Sequence, residues 1–229
     1  MTSTTSRDGA AGTRIADSLR DAILRGVYAP GARIRQEDLA EEFGASRLPV
    51  RDALRILESD GLVTLVANTG AWVAYLSLDE CQEVYQIRER IEPLLLRYSA
   101  EHLDDETVER LGALADRMQA GTDVETFLRL DREFHLLSYG AAKTAILGET
   151  VQRLWNSTQH YRRAFTLLIG PDAGRAVHYE HQLLVAALRR GDLDDAERVL
   201  FGHIRRTRLE LLKHPELFQQ PEAADARAR

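Results

Sequence analysis

Polar and apolar positions alternate with two different textures along the chain, and the change of texture falls near residue 77. Before it, Ile15, Leu19, Ala22 and Ile23 recur at helical spacing, so a helix is predicted over Arg14–Arg25, ended by Gly26. Tyr28-Ala-Pro-Gly31 reads as a turn. A short helix follows over Gln36–Phe43, burying Leu39, Ala40 and Phe43 and stopped by Gly44. After Gly44-Ala-Ser46 a second helix runs to about Asp60, with Ser46 as its cap and Pro49 in the first turn, where the missing N–H is harmless. Leu62–Val66 and Ala71–Tyr75 are β-prone runs joined by Ala67-Asn-Thr-Gly70, a hairpin signal.

Beyond Ser77 only helical periodicity continues, to about Leu212. Helices are predicted near 79–101, 104–120, 123–140, 143–168, 172–190 and 192–213. Ser77-Leu-Asp-Glu80 and Thr122-Asp-Val-Glu125 have capping-box spacing and should open two of them. Met1–Gly12, rich in Ser, Thr, Gly and Ala, reads as a mobile arm, and Gln219–Arg229 as a frayed tail. The expected architecture is mainly α: a winged helix-turn-helix over residues 12–76, then an all-α antiparallel helical bundle over 79–213.

Composition narrows the function classes. The 229 residues are 44% hydrophobic and 29% charged, a globular balance that excludes wholesale disorder. One cysteine, Cys81, leaves no intramolecular disulfide and no cysteine-based zinc site. No apolar run long enough to span a membrane occurs, and the N-terminus lacks the apolar segment of a signal peptide, so a cytoplasmic setting is expected. The net charge of −6 is unpromising for a nucleic-acid binder. Residues 1–77, however, carry basic charge only as arginine, so a local basic face would have to do that work.

Such a face exists on the second N-terminal helix. Val50, Leu54 and Leu57 form its inner side, while Arg47, Arg51 and Arg55 line up outside at i, i+4, i+8. Guanidinium groups there suit guanine O6 and N7 or phosphates in a major groove. A solvated charged face with Asp52 and Glu58 as partners explains the row equally well, and the hairpin tilts the balance toward DNA, since a wing beside such a helix can meet the minor groove. The run Ile34-Arg-Gln-Glu-Asp-Leu-Ala-Glu-Glu-Phe-Gly-Ala-Ser-Arg-Leu-Pro-Val-Arg-Asp-Ala-Leu-Arg-Ile-Leu-Glu-Ser-Asp-Gly-Leu-Val63 resembles the DNA-binding domain of the GntR family of bacterial regulators. The resemblance implies base- and phosphate-contacting roles for Ser46, Arg47 and Arg51, together with Arg35 and the wing glycine Gly70. Leu48 departs from the polar residue usual at its position.

The bundle region carries its own chemistry. Seven histidines all lie beyond residue 100. Asp131 and His135 are one turn apart on a face shared with Phe127 and Phe134; His181 falls in the apolar row Val177, Leu184, Leu188, and His203 in the row Ala196, Val199, Leu200, Thr207. Singly, each inward histidine is a hydrogen-bonded core residue. Together, one carboxylate and three imidazoles facing one interior suit a divalent metal, zinc first, with nickel or manganese as alternatives. His178 reads as surface or as an outer partner, and His102, His160 and His214 fall outside the pattern.

Asp131-Arg-Glu-Phe-His135, the stretch Glu180–Asp192 and His203-Ile204 resemble the helical effector domain of the FadR subgroup, called FCD. Its metal-binding members use one Asp and three His, which map onto Asp131, His135, His181 and His203, and the six-helix variant fits the short link before Asp79. Ile87-Arg-Glu-Arg-Ile-Glu-Pro93 resembles the stretch whose arginine contacts the effector, which makes Arg88 the partner of a ligand carboxylate; the plainer reading pairs Arg88 with Glu92. The leading expectation is therefore a homodimeric bacterial transcriptional regulator that binds operator DNA, senses a small carboxylate and is not an enzyme. A metalloenzyme using the Asp/His set on water is the alternative, and an architectural DNA-binding protein with a structural metal the third.

Overall fold

The computed structural model describes residues 4–67, 69–170 and 175–219. The chain divides into two compact units, one built on Met1–Ser77 with Trp155–His160 and Phe218–Arg229, the other on Leu78–Leu154 with Tyr161–Leu217.

The first unit contains α1 (Thr4–Leu24), β1 (Arg33–Ile34), α2 (Gln36–Glu42), α3 (Arg47–Ser59), β2 (Val63–Val66) and β3 (Gly70–Val73). The apolar stripe of α1 (Ile15, Ala16, Leu19, Ile23) and that of α3 (Val50, Ala53, Leu54, Leu57) are buried in one core with Leu39, Val63, Ala71 and Val73. Each fully buried Leu or Ile there contributes about 1.5–3 kcal/mol relative to exposure. The sheet runs β1-β3-β2, all antiparallel, with Val63 opposite Val73 and Arg33 opposite Trp72.

The structure departs locally from the sequence expectation. The arm expected to reach Gly12 is helical from Thr4, because α1 packs closely on α3: Gly12 is buried, and a Cβ there would stand 3.3 Å from the Pro49 carbonyl oxygen. Strand β1 went unforeseen because two residues carry no periodicity.

The second unit contains α4 (Leu78–Ala100), α5 (Asp105–Gln119), α6 (Val124–Tyr139), α7 (Ile146–Ile169, whose Trp155–His160 segment groups with the first unit), α8 (Arg175–Arg190) and α9 (Leu193–Leu211). Helices α4 and α9 pack antiparallel: Arg97 meets Asp194 and Glu197 at one end, and Arg208 binds Glu89 at 2.5 Å toward the other. Helix α8 packs on both α5 and α9, and α6 on both α4 and α5. Aspartates cap three helices, Asp104 accepting from Thr107 N–H (2.8 Å), Asp123 from Thr126 N–H (3.0 Å) and Asp192 from Asp195 N–H (3.0 Å). The cap of α6 is thus Asp123, not Thr122 as the capping-box spacing predicts. A carboxylate one residue on outcompetes the hydroxyl.

Candidate functional sites: an arginine groove and a buried Asp/His cluster

Ser46, Arg47, Leu48 and Arg51 all stand exposed at the start of α3, while Pro49 and Val50 beside them are buried. Ser46 occupies the N-cap position, yet its side chain makes no capping hydrogen bond. The ion pairs of this face are thin: Arg47 stands 3.4 Å from Glu37 and Arg55 3.7 Å from Asp52, all largely solvated. Such pairs contribute about 0–1 kcal/mol and do not tie the guanidiniums down.

Arg35, Arg51 and Gly70 line one groove between α3 and the wing, together with Arg33 and Arg55; Ser46 and Arg47 lie outside it. The wing glycine has φ 138°, a conformation open to Gly and strained for other residues. Arg33 was not singled out by the sequence. It sits over the Trp72 ring (5.7 Å to the centroid) and donates to the Thr69 carbonyl at 2.9 Å, so it braces the wing from the opposite strand. Its only sequence cue is a cation in a β-prone stretch opposite an aromatic, visible once the register is known.

In the second unit, Asp131 and His135 project from α6, His181 from α8 and His203 from α9. All four are buried, and one ligand atom from each lies within 4.8 Å of the others. Asp131 Oδ1 stands 3.3 Å from His181 Nε2 and 3.8 Å from His135 Nε2, while the two Nε2 atoms are 3.4 Å apart. Oδ1 accepts no hydrogen bond despite being buried. A buried carboxylate oxygen without a donor is costly, and four converging donor atoms of this kind fit a divalent cation.

The electrostatics agree. Burial holds the His135 imidazole well below its usual range and His181 below it too, so both stand as neutral lone-pair donors. Burial would raise the Asp131 carboxyl, but the Arg162 guanidinium, with His181 and His135, outweighs it and holds the group charged, well below the usual carboxylate range. Phe134 packs against the His135 and His181 rings, 5.3 and 4.8 Å between centroids, and closes the apolar side.

A cavity of about 100 Å³ opens beside the cluster. Asp131, Arg162, His178 and His203 make its polar end, and Met118, Phe127, Phe165 and Ile169 are among its apolar walls. The cation on this wall is Arg162, bound to Asp131 Oδ2, which the sequence did not nominate. Nothing in the periodicity of α7 marks it, since Asp131, which draws it inward, stands on α6. Arg88, the nominated cation, is 2% exposed, pairs with Glu92 at 2.5 Å and stacks on Tyr85; it does not line this cavity. His178 does, and its Nδ1 has no hydrogen-bond partner.

A winged helix-turn-helix presenting loosely held arginines, in one chain with a helical bundle that holds a small cavity with a polar end, is the make-up of a DNA-binding regulator that responds to a small molecule. Comparison with known proteins agrees: residues 11–73 match the bacterial regulatory proteins of the gntR family, and residues 83–206 match the FCD domain. The chain belongs to the GntR family of bacterial regulators, in its FCD-containing branch. It is similar to the HTH-type transcriptional regulator YdhC of Bacillus subtilis (26% identical; 86% of this chain, 89% of that one) and to the gluconate operon transcriptional repressor of Bacillus licheniformis (28%; 80% and 77%). The solved structure of E. coli McbR/YncC shares the fold at TM-score 0.78, with 24% identity over 89% of this chain and 98% of that one. These relatives, McbR among them, are named as transcriptional regulators or repressors, and nothing in the comparisons favours the metalloenzyme reading. Among the described residues no helix is long and apolar enough to cross a membrane.

Proposed function

We propose that the protein is a cytoplasmic, homodimeric regulator whose bundle senses a small carboxylate beside a divalent metal held by Asp131, His135, His181 and His203. The observation that carries this reading is the buried, undonated Asp131 Oδ1 facing imidazoles that burial keeps neutral. Zinc suits a set of three nitrogens and one oxygen best, with nickel and manganese as alternatives. When bound, the metal supplies a fixed positive charge at the polar end of the cavity.

The chain's own residues supply the rest. Arg162 can offer donors to a carboxylate in the cavity while keeping Asp131 in place. Arg88 is the second cation of this reading, and its buried pairing with Glu92 means that it would have to share that carboxylate or leave it. The apolar walls exclude water from whatever lies against them, which strengthens each charge interaction inside. A relative named for a gluconate operon makes hydroxy acids the first candidates to try.

DNA reading is assigned to Ser46, Arg47 and Arg51 on α3, Arg35 at the start of α2 and Gly70 on the wing, in a domain taken as residues 12–76, with the sensing domain as 79–213. Dimerisation follows from the way such modules grip two half-sites. It is supported by the exposed strip Ile87, Leu94 and Tyr98 on α4, each about two-fifths exposed, which a second copy would cover. Metal analysis of protein purified without chelator, followed by DNA-binding anisotropy against a panel of sugar acids, hydroxy acids and dicarboxylates, tests the whole. Protein that takes up no metal on reconstitution and ignores every acid overturns it.

A further inference from the structure

Two carboxylates outside the Asp/His set, Glu180 and Glu92, each sit between an arginine and one of its imidazoles. Glu180, buried at the inner face of α8, has Oε2 3.0 Å from His203 Nδ1 and accepts from Arg206 Nε on Oε1 at 2.6 Å. Glu92, fully buried on α4, accepts from Arg88 on Oε1 at 2.5 Å and from the Tyr139 hydroxyl on Oε2 at 2.7 Å. The same hydroxyl oxygen lies 3.4 Å from His135 Nδ1.

Proton accounting fixes what these contacts mean. An ionised carboxylate only accepts, so the proton between Glu180 and His203 belongs to Nδ1. The single proton of Tyr139 is spent on Glu92, so the Tyr139 oxygen meets His135 as an acceptor, and His135 Nδ1 also carries its proton. In both rings the lone pair is then left on Nε2; His135 Nε2 stands 3.4 Å from His181 Nε2, inside the cluster. Each carboxylate also accepts from an arginine on its other oxygen, Arg206 on one side and Arg88 on the other.

We propose that Glu180, and Glu92 through Tyr139, are positioning residues that hold His203 and His135 in the ligating tautomer, so that Arg206–Glu180–His203 and Arg88–Glu92–Tyr139–His135 form two relays feeding one centre. This rests on the metal reading above and adds to it which residues outside the ligand set tune the site. It also gives Arg88 work away from the cavity. The relay from Arg88 runs through α4, and the relay from Arg206 through α8 and α9, so three helices besides α6 hold or orient the ligands.

The test is zinc competition against a chromophoric chelator on full-length protein, with the imidazole tautomers read by long-range ¹H–¹⁵N NMR on histidine-labelled samples. Glu180→Ala should weaken zinc binding by about 10–100-fold, the usual effect of losing such a partner, and release the Nδ1–H signature of His203. Glu180→Gln, whose amide oxygen accepts the same proton, should restore the signature and part of the affinity; this variant also decides the matter if Glu180→Ala does not fold. Tyr139→Phe should act in the same direction on His135, more weakly because its contact is longer. Wild-type protein that binds zinc while Glu180→Ala binds it within about twofold, with the His203 tautomer unchanged, overturns the proposal alone. Wild-type protein that takes up no zinc overturns the metal reading and this proposal with it.

Discussion

The exposed arginines of α3 and the buried arginines of the bundle do opposite jobs. On the winged unit, Arg47 and Arg55 reach into solvent with partners 3.4 and 3.7 Å away, held so loosely that nothing in the unit depends on them. In the bundle, Arg88 and Arg162 are drawn inside and locked to Glu92 and Asp131. The first kind keeps its hydrogen-bonding capacity for something outside the molecule. The second kind is part of the fold and acts by fixing other groups. At Arg47 and Arg55 binding can therefore be removed without touching stability, whereas at Arg88 and Arg162 the two are entangled.

The entanglement sets the largest expected effect. Removing one partner of a buried ion pair typically costs about 3–5 kcal/mol, because the other charge stays buried and uncompensated. Arg88→Ala should therefore lower the unfolding free energy by about that much and cut the chemical-denaturation midpoint sharply. Arg47→Ala should change it by less than about 0.5 kcal/mol. The double change Arg88→Met with Glu92→Leu should recover most of the loss, since replacing both members of such a pair is often neutral. Equal midpoints for wild type and Arg88→Ala would mean that Arg88 is not held as described, and would leave it free for a direct effector contact.

Next comes the cluster. Losing an inner ligand should weaken zinc by more than the ~10–100-fold that an outer partner commands. His181→Ala is the cleanest choice, because its Nδ1 has no hydrogen-bond partner and its removal breaks no outer relay. Elemental analysis should find the variant nearly metal-free where wild type holds about one ion per chain. Arg162→Ala should keep part of the metal and lose the acid response, which separates the cavity cation from the relay arginine.

How far the sequence anticipated this depends on where each residue's partners lie. Asp131, His135, His181 and His203 were legible because each interrupts an apolar row of its own helix, a signal that needs no tertiary information. Arg162, Glu180 and Tyr139 act across helices, and periodicity within one helix says nothing of what faces it from another. The helices themselves were legible for the same local reason. Strand β1 was not, because it exists only through its pairing with β3. Of the residues proposed to face DNA, Arg47 and Arg51 showed as a row, while assigning Ser46, Arg35 and Gly70 took a family resemblance, since nothing in the local pattern sets such positions apart.

On the winged unit the expected losses fall on binding. Arg51→Ala, removing a groove-lining guanidinium, should weaken operator binding by about 1–3 kcal/mol and relax base preference if it pairs with a guanine. If it meets a phosphate instead, the loss should be uniform across sequences and the slope of log K against log salt should fall by about 1. Far-ultraviolet circular dichroism should not change in either case. Arg51→Ala and Arg47→Ala both binding the best operator like wild type would show that this face does not read DNA.

The smallest effect should be in pH, and its sign follows from burial. His135 and His181 are depressed below their usual value, principally by desolvation, so the folded, metal-free protein resists taking up protons there. The unfolded chain titrates these groups near ~6.5. Between the depressed values and that point the unfolded state binds more protons than the folded one, so stability falls as pH drops through about 6.5 and levels only below the folded values. Asp131, also depressed, adds to the loss lower down, where the unfolded carboxylate begins to protonate near ~3.9. Both groups thus act in one direction on acidification. Thermal melts of chelator-treated protein at pH 7.5 and 5.5 should show a lower midpoint at the acid value, while His135→Leu, which removes one of these proton-accepting sites from the unfolded chain, should narrow the gap. Metal should widen it, because a bound ion must be given up before the imidazoles can protonate. A midpoint unchanged between the two values in the wild type would mean that the imidazoles titrate alike folded and unfolded, and that the cluster is open to water.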